Sequence, residues 1–109
     1  MRIEIFVVRS EKENKDRLGI AKGALIRLFG GLTVIPKCQG YWLNENKEIE
    51  ADSVEIWLIY ADFPEADTKA NAIFKQTKMN AFLSILELIK DATRQKSQAY
   101  ALNDKIYFL

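Results

Sequence analysis

Gly30-Gly31-Leu32-Thr33-Val34-Ile35-Pro36-Lys37-Cys38-Gln39-Gly40-Tyr41-Trp42 decides how this chain folds. These thirteen residues hold three of the five glycines, one of the two prolines and the only cysteine. Glycine and proline fix backbone shape where they stand, so the stretch marks where a helix stops and an irregular strand begins. Gly30-Gly31 ends the helix. Leu32 to Ile35 and Gln39 to Leu43 then read as one extended segment interrupted at Pro36, which cannot donate a ladder hydrogen bond and so favours a sheet edge or a bulge. Gly40 is read as the point where the chain turns into the Tyr41-Trp42 strand.

Upstream, Arg2 to Arg9 is rich in β-formers, and Ser10 is positioned to cap a helix. Leu18, Ala21, Ala24, Leu25, Leu28 and Phe29 recur at helical spacing, which predicts a first helix over residues 11–29. Gly19 and Gly23 sit within it at a spacing that suits close packing. Downstream, Asn44 to Lys47 is a polar hairpin loop, and a return strand starts near Glu48, peaks over Val54–Ala61 and closes at Asp62-Phe63-Pro64-Glu65. Residues 67–95 contain neither Gly nor Pro. Ala70, Ile73, Phe74, Thr77, Ala81, Ile85, Leu88, Ile89 and Ala92 form a helical stripe there. Gln98 to Leu102 and Lys105 to Leu109 flank an Asn103-Asp104 turn signal, which predicts a C-terminal hairpin.

The order β-α-β-β-α-β is the split βαβ, or ferredoxin-like, pattern of an α+β domain. A chain of 109 residues matches one such domain, expected over residues 1–109, with enough buried surface for a core without metal or disulfide. Two helices would cover one face of an antiparallel sheet and leave the other open. Strand alternation predicts Ile3, Ile5, Val7, Val54, Ile56 and Leu58 beneath the helices. Glu4, Phe6, Val8, Glu55, Trp57 and Ile59 would then lie on the open face. That face is too apolar to stay in water, so self-association as a homodimer is the leading expectation. Glu4 and Glu55 would each need an Arg or Lys partner, or a place at the rim.

Composition narrows the chemistry. With 16 Lys and Arg against 15 Asp and Glu the net charge is +1, which supplies no global field for nucleic acid or an anionic membrane. The absence of His removes Ser-His-Asp and Cys-His catalysis, and the single Cys forms no internal disulfide, which suits a reducing, cytoplasmic setting. The N-terminal apolar run reads as a strand and not a secretory signal, and no apolar stretch reaches the roughly 20 residues that cross a bilayer. Glycine before a strand, not before a helix, is the wrong order for a phosphate-cradling loop. Glu48, Glu50 and Asp52 share one face of a strand but lack amide ligands, so they read as a solvated edge and not a metal site. No catalytic residue, metal or cofactor is implied.

Three readings of the open face follow. The first is packing, either as an association surface, which makes the chain a self-associating binding or accessory protein, or beneath the C-terminal hairpin of the same subunit. The second is a pocket between the sheet and a partner copy, as in cofactor-independent enzymes and small-ligand binders of the dimeric α+β barrel type. The third, single-stranded nucleic acid stacked on Phe6 and Trp57, is opposed by Glu4 and Glu55 where phosphate-binding cations are needed. A ligand site is expected where Phe6, Tyr41, Trp42, Glu55 and Trp57 converge, with aromatic contact from four residues and orientation from the carboxylate.

The run Phe29-Gly30-Gly31-Leu32-Thr33-Val34, then Gly40-Tyr41-Trp42, a polar turn and Val54-Glu55-Ile56-Trp57, resembles a pattern in small uncharacterised bacterial and phage or plasmid proteins. The resemblance covers the middle third of the chain. It implies a compact α+β domain and carries over no catalytic residue.

Overall fold

The computed structural model describes residues 1–63 and 65–109; Pro64, expected to help close the return strand, lies outside the described residues. Seven elements follow one another: β1 (Arg2–Arg9), α1 (Lys15–Phe29), β2 (Thr33–Leu43), β3 (Ile49–Tyr60), α2 (Lys69–Ala92), β4 (Ala99–Leu102) and β5 (Lys105–Phe108). The strands form one antiparallel sheet in the order β2-β3-β1-β4-β5. Both helices pack on one face, so the fold is the ferredoxin-like α+β arrangement, with β5 added beside β4 as the second strand of a C-terminal hairpin.

Local chemistry sets the boundaries. The first helix starts four residues later than the Ser10 signal predicts, because Asn14 is the cap: its side chain accepts the Arg17 N–H at 3.1 Å. Ser10 instead shapes the preceding loop, where its hydroxyl accepts the Lys12 N–H. Gly30 ends the helix in the left-handed conformation, φ 89°, with its N–H on the Ile26 carbonyl at 2.7 Å. Thr68 caps α2 through the Asn71 N–H. Pro36 sits where the β2–β3 register slips between Ile35 and Cys38, so the bulge expected of it is present.

The core lies between the helices and the sheet. Ile3, Ile5, Val7, Trp57 and Ile59 from the strands meet Leu18, Ala21 and Leu25 of α1 and Phe82, Leu86 and Ile89 of α2. Phe29, Phe82 and Tyr100 extend it through successive edge-to-face contacts with centroids 5.8 Å apart. Gln98 is the buried polar strut of this region. Its side-chain amide donates to the Phe6 carbonyl at 2.8 Å, tying the C-terminal hairpin to β1 beyond the point where their ladder ends.

Three packing expectations are corrected. β3 is turned over relative to the predicted alternation: Ile5 pairs with Trp57 and Ile3 with Ile59, so those residues share the helix-covered face, while Val54, Ile56 and Leu58 lie on the other. Both faces of β3 are apolar, so alternation alone could not say which one faces the helices. The stripe on α2 also differs. Its 24 residues span about 36 Å at 1.5 Å per residue, longer than the eight-residue β1 at about 27 Å. The first turns therefore overhang the core, and Ile73 and Phe74 are exposed. Gly19 makes no packing contact either: a Cβ added there would meet nothing within 4 Å.

Candidate functional site

The open face of the sheet is an apolar floor. Register places Ile35 of β2 opposite Ile56 of β3, and Ile56 opposite Phe6 of β1. Across the other edge Ala99 pairs with Phe108 and Ala101 with Ile106. Ile106 and Phe108 are exposed, and Ile35 and Trp42 are partly so. Among the described residues no helix covers this face. A concavity of about 310 Å³ runs along it, lined by Phe6, Trp42, Val54, Ile56, Ile106 and Phe108 among others. Glu4, the carboxylate that β1 places on this face, pairs with Arg2 Nε at 3.1 Å, and Arg2 also reaches Asp104 at 2.8 Å. The expected cation partner for Glu4 is therefore present, at the rim.

The floor continues into a second concavity of about 450 Å³ that has polar walls. Phe6, Trp42 and Phe108 line both spaces. One wall is the β2–β3 hairpin: Trp42 pairs with Glu50 and Gly40 with Asp52, which puts both carboxylates on the same face as the indole. The other wall is the turn after α2, with Arg94 and Lys96. Glu50 accepts a hydrogen bond from the Asn44 side-chain amide at 3.2 Å. Among the described residues Asp52, Arg94 and Lys96 enter no ion pair.

Gly40 has a role the sequence reading missed. It lies in regular strand pairing and does not turn the chain. A Cβ there would come within 2.8 Å of the Trp42 ring and 3.1 Å of Val54, so glycine is what lets the indole lie back against the strand.

The five residues expected to converge separate into three groups. Phe6 and Trp42 share the open-face groove. Tyr41 points to the opposite side of the hairpin, exposed, with its hydroxyl donating to Gln39 at 2.7 Å. Trp57 is fully buried beneath the helices with Lys22 of α1 stacked 5.2 Å from its ring, so its expected place on the open face is corrected. Its indole N–H donates to Glu55 at 3.0 Å.

Glu55 thus belongs to a charge cluster on the helix side. Arg9 bridges Glu55 at 2.7 Å and Glu13 at 2.7 Å, and the Ser10 N–H also donates to Glu13. The Glu13 side chain is 2% exposed. Its carboxyl is held below the ordinary carboxylate range, first by the Arg9 hydrogen bond, against an opposing effect of burial, and then by the Ser10 N–H. Every charge in this cluster has a partner, so it fastens the β1–α1 loop and offers no free group to a ligand. The sequence pattern of Glu50 and Asp52 reads as a solvated edge, and it gives no sign that Arg94 and Lys96 stand across from them. The signal that could have joined the first two to Trp42 is the two-residue alternation on both sides of the hairpin loop.

No family model and no curated protein matches this chain. Among solved structures it is similar to the divalent cation tolerance protein Cut A1 of Thermus thermophilus, with 17% identity over 100% of this chain and 82% of that one, TM-score 0.53. CutA1 of Oryza sativa is 11% identical over 99% and 75%, TM-score 0.51. A phage SAM lyase in complex with S-methyl-5′-thioadenosine is 10% identical over 99% and 87%, TM-score 0.56. These likenesses establish the class, a ferredoxin-like α+β fold. At such identities they extend to the fold alone.

Proposed function

We propose that the protein is a self-associating binding protein, in which a second copy covers the apolar floor of the open sheet face and the polar-walled concavity at its end receives a small ligand. The observation that carries this is the unbroken apolar row Ile35–Ile56–Phe6 with Ile106 and Phe108 beyond it, a large hydrophobic surface with no covering element among the described residues. A homodimer that stacks two such faces would remove these side chains from water. Glu4, the β1 carboxylate on this face, has a cation partner in Arg2, which it shares with Asp104 at the rim. The phage SAM lyase, whose structure holds a nucleoside thioether, supports a small-molecule role for a domain of this fold, and the concavity of about 450 Å³ has the size of a small-ligand site.

Sedimentation velocity over a micromolar concentration series tests the association. The wild-type chain is expected to sediment as a dimer, and Ile106→Lys, which places a charge on an exposed part of the floor, as a monomer. A wild-type chain that stays monomeric throughout the series overturns the association. So does an Ile106→Lys chain that associates as strongly as wild type.

A further inference from the structure

The two walls of the polar concavity carry opposite charges that face a common space without joining across it. Glu50 and Asp52 project from the hairpin, Arg94 and Lys96 from the turn after α2, and among the described residues no ion pair links the two sides. The gap between them is lined by the aromatic side chains of Trp42, Phe6 and Phe108. Resting on the reading of the chain as a binding protein, we propose that this cleft takes a purine nucleoside that carries an anionic group on its 5′ side.

Each part of such a ligand meets one part of the cleft. A heterocyclic base stacks on aromatic side chains whatever its sequence context, and a purine offers the largest face. Trp42 is the platform best held for this, because Gly40 leaves room for its ring to lie against the strand. The vicinal hydroxyls of ribose are donors, and a carboxylate is the group that recognises them in nucleotide sites on other folds. Asp52 has no partner among the described residues and Glu50 has only Asn44, so both retain acceptor capacity. A phosphate or carboxylate at the 5′ end is matched by the guanidinium of Arg94, whose planar fork binds either group through two hydrogen bonds, with Lys96 adding charge.

The same walls argue against a longer nucleic acid. An oligonucleotide would carry phosphates on both sides of each base, and those on the hairpin side would meet Glu50 and Asp52. The ligand is therefore a single nucleoside unit. Its anionic group has two chemical sources, a phosphate or the carboxylate of an amino acid, and the choice of probes separates them.

Isothermal titration of the full chain with adenine, adenosine, adenosine 5′-monophosphate and S-adenosylhomocysteine reads the assignment directly. Adenosine is expected to bind more tightly than adenine, and at least one of the two anionic nucleosides about tenfold more tightly than adenosine. Trp42→Leu should weaken every nucleoside by about tenfold or more. Arg94→Met should abolish the advantage of the anionic nucleosides and leave adenosine unchanged. Circular dichroism of both variants establishes that they fold. The proposal is overturned if no nucleoside binds at millimolar concentration, if adenine binds as tightly as adenosine, or if Arg94→Met weakens adenosine and the anionic nucleosides equally. Sedimentation of the same samples keeps the two readings apart. A dimer that binds no nucleoside removes the ligand and leaves the association, whereas a monomer that binds removes the association and leaves the ligand.

Discussion

The two faces of this sheet are built from the same kinds of side chain and differ in what lies over them. On one, Ile5 and Trp57 are sealed by Leu18, Leu25, Phe82 and Leu86; on the other, Phe6 and Ile56, one residue away on the same strands, have no covering element among the described residues. Apolar content therefore does not distinguish core from surface in this chain. What distinguishes them is whether the two helices reach. The covered face sets the stability of the fold, and the open one is free to hold a second copy or a ligand.

The largest effect should come from breaking the covered face. Trp57→Ala removes a fully buried indole and is expected to cost about 3–5 kcal/mol in urea unfolding. Leu58→Ala, the next residue on β3, points to the open face and is only half-buried, so at dilutions that keep the chain monomeric it should cost about 1 kcal/mol or less. Equal losses at the two positions would mean that the open face is as structured in the monomer as the core.

The second effect sharpens the same contrast with charge. Glu13 sits at the end of the covered face, its side chain buried against Arg9, while Glu50 and Asp52 on the open side hold no cation among the described residues. Glu13→Gln should cost about 1–2 kcal/mol, moderated because Arg9 stays partly exposed. Because the folded-state carboxyl titrates below its unfolded value near 4.5, its contribution is complete above about pH 4.5 and is lost as pH falls through the lower, folded value. Unfolding measured from neutral to acidic pH should show that loss in wild type and a flatter acid limb in Glu13→Gln. An identical acid limb in both would remove Glu13 from the acid response.

Much of the fold was legible because punctuation and periodicity agree: Gly30 stops the first helix, Pro36 accompanies a bulge, and the hairpins fall where the turn residues stand. The facing of β3 was not legible. Ile56 and Leu58 are as hydrophobic as Trp57 and Ile59, and only the partner register with β1 decides between them. Of the expected ligand residues, Phe6 and Trp42 meet in one groove because β1 was oriented correctly and Trp42 follows Gly40 on the same face. Glu55 and Trp57 moved with the turned strand to the helix side, and Tyr41 faces away by its odd offset from Trp42. Arg94 and Lys96 were invisible as wall residues, since their approach to the hairpin depends on where α2 ends relative to a strand some forty residues earlier in the chain.

A smaller effect belongs to the open face itself. Gly40→Ala places a methyl group 2.8 Å from the Trp42 ring, but that ring is 37% exposed and can swing away, so the loss of stability should be about 1 kcal/mol. The displaced indole should show itself in tryptophan fluorescence, since Trp57, the only other tryptophan, remains buried. An unchanged spectrum would mean that the indole does not rest on Gly40.

The smallest change in monomer stability, and the most telling, is expected at Ile106→Lys. The side chain is 59% exposed and contributes little to the covered core, so in dilute solution the variant should unfold within about 0.5 kcal/mol of wild type. Association that occurs only in the folded state stabilises it by mass action, so the wild-type melting temperature should rise with protein concentration while that of Ile106→Lys stays level. The two curves should meet at low concentration and part as it increases. Melting temperatures that rise in parallel would place the contact elsewhere than the open face, and wild-type values independent of concentration would leave the apolar floor without a second copy to cover it.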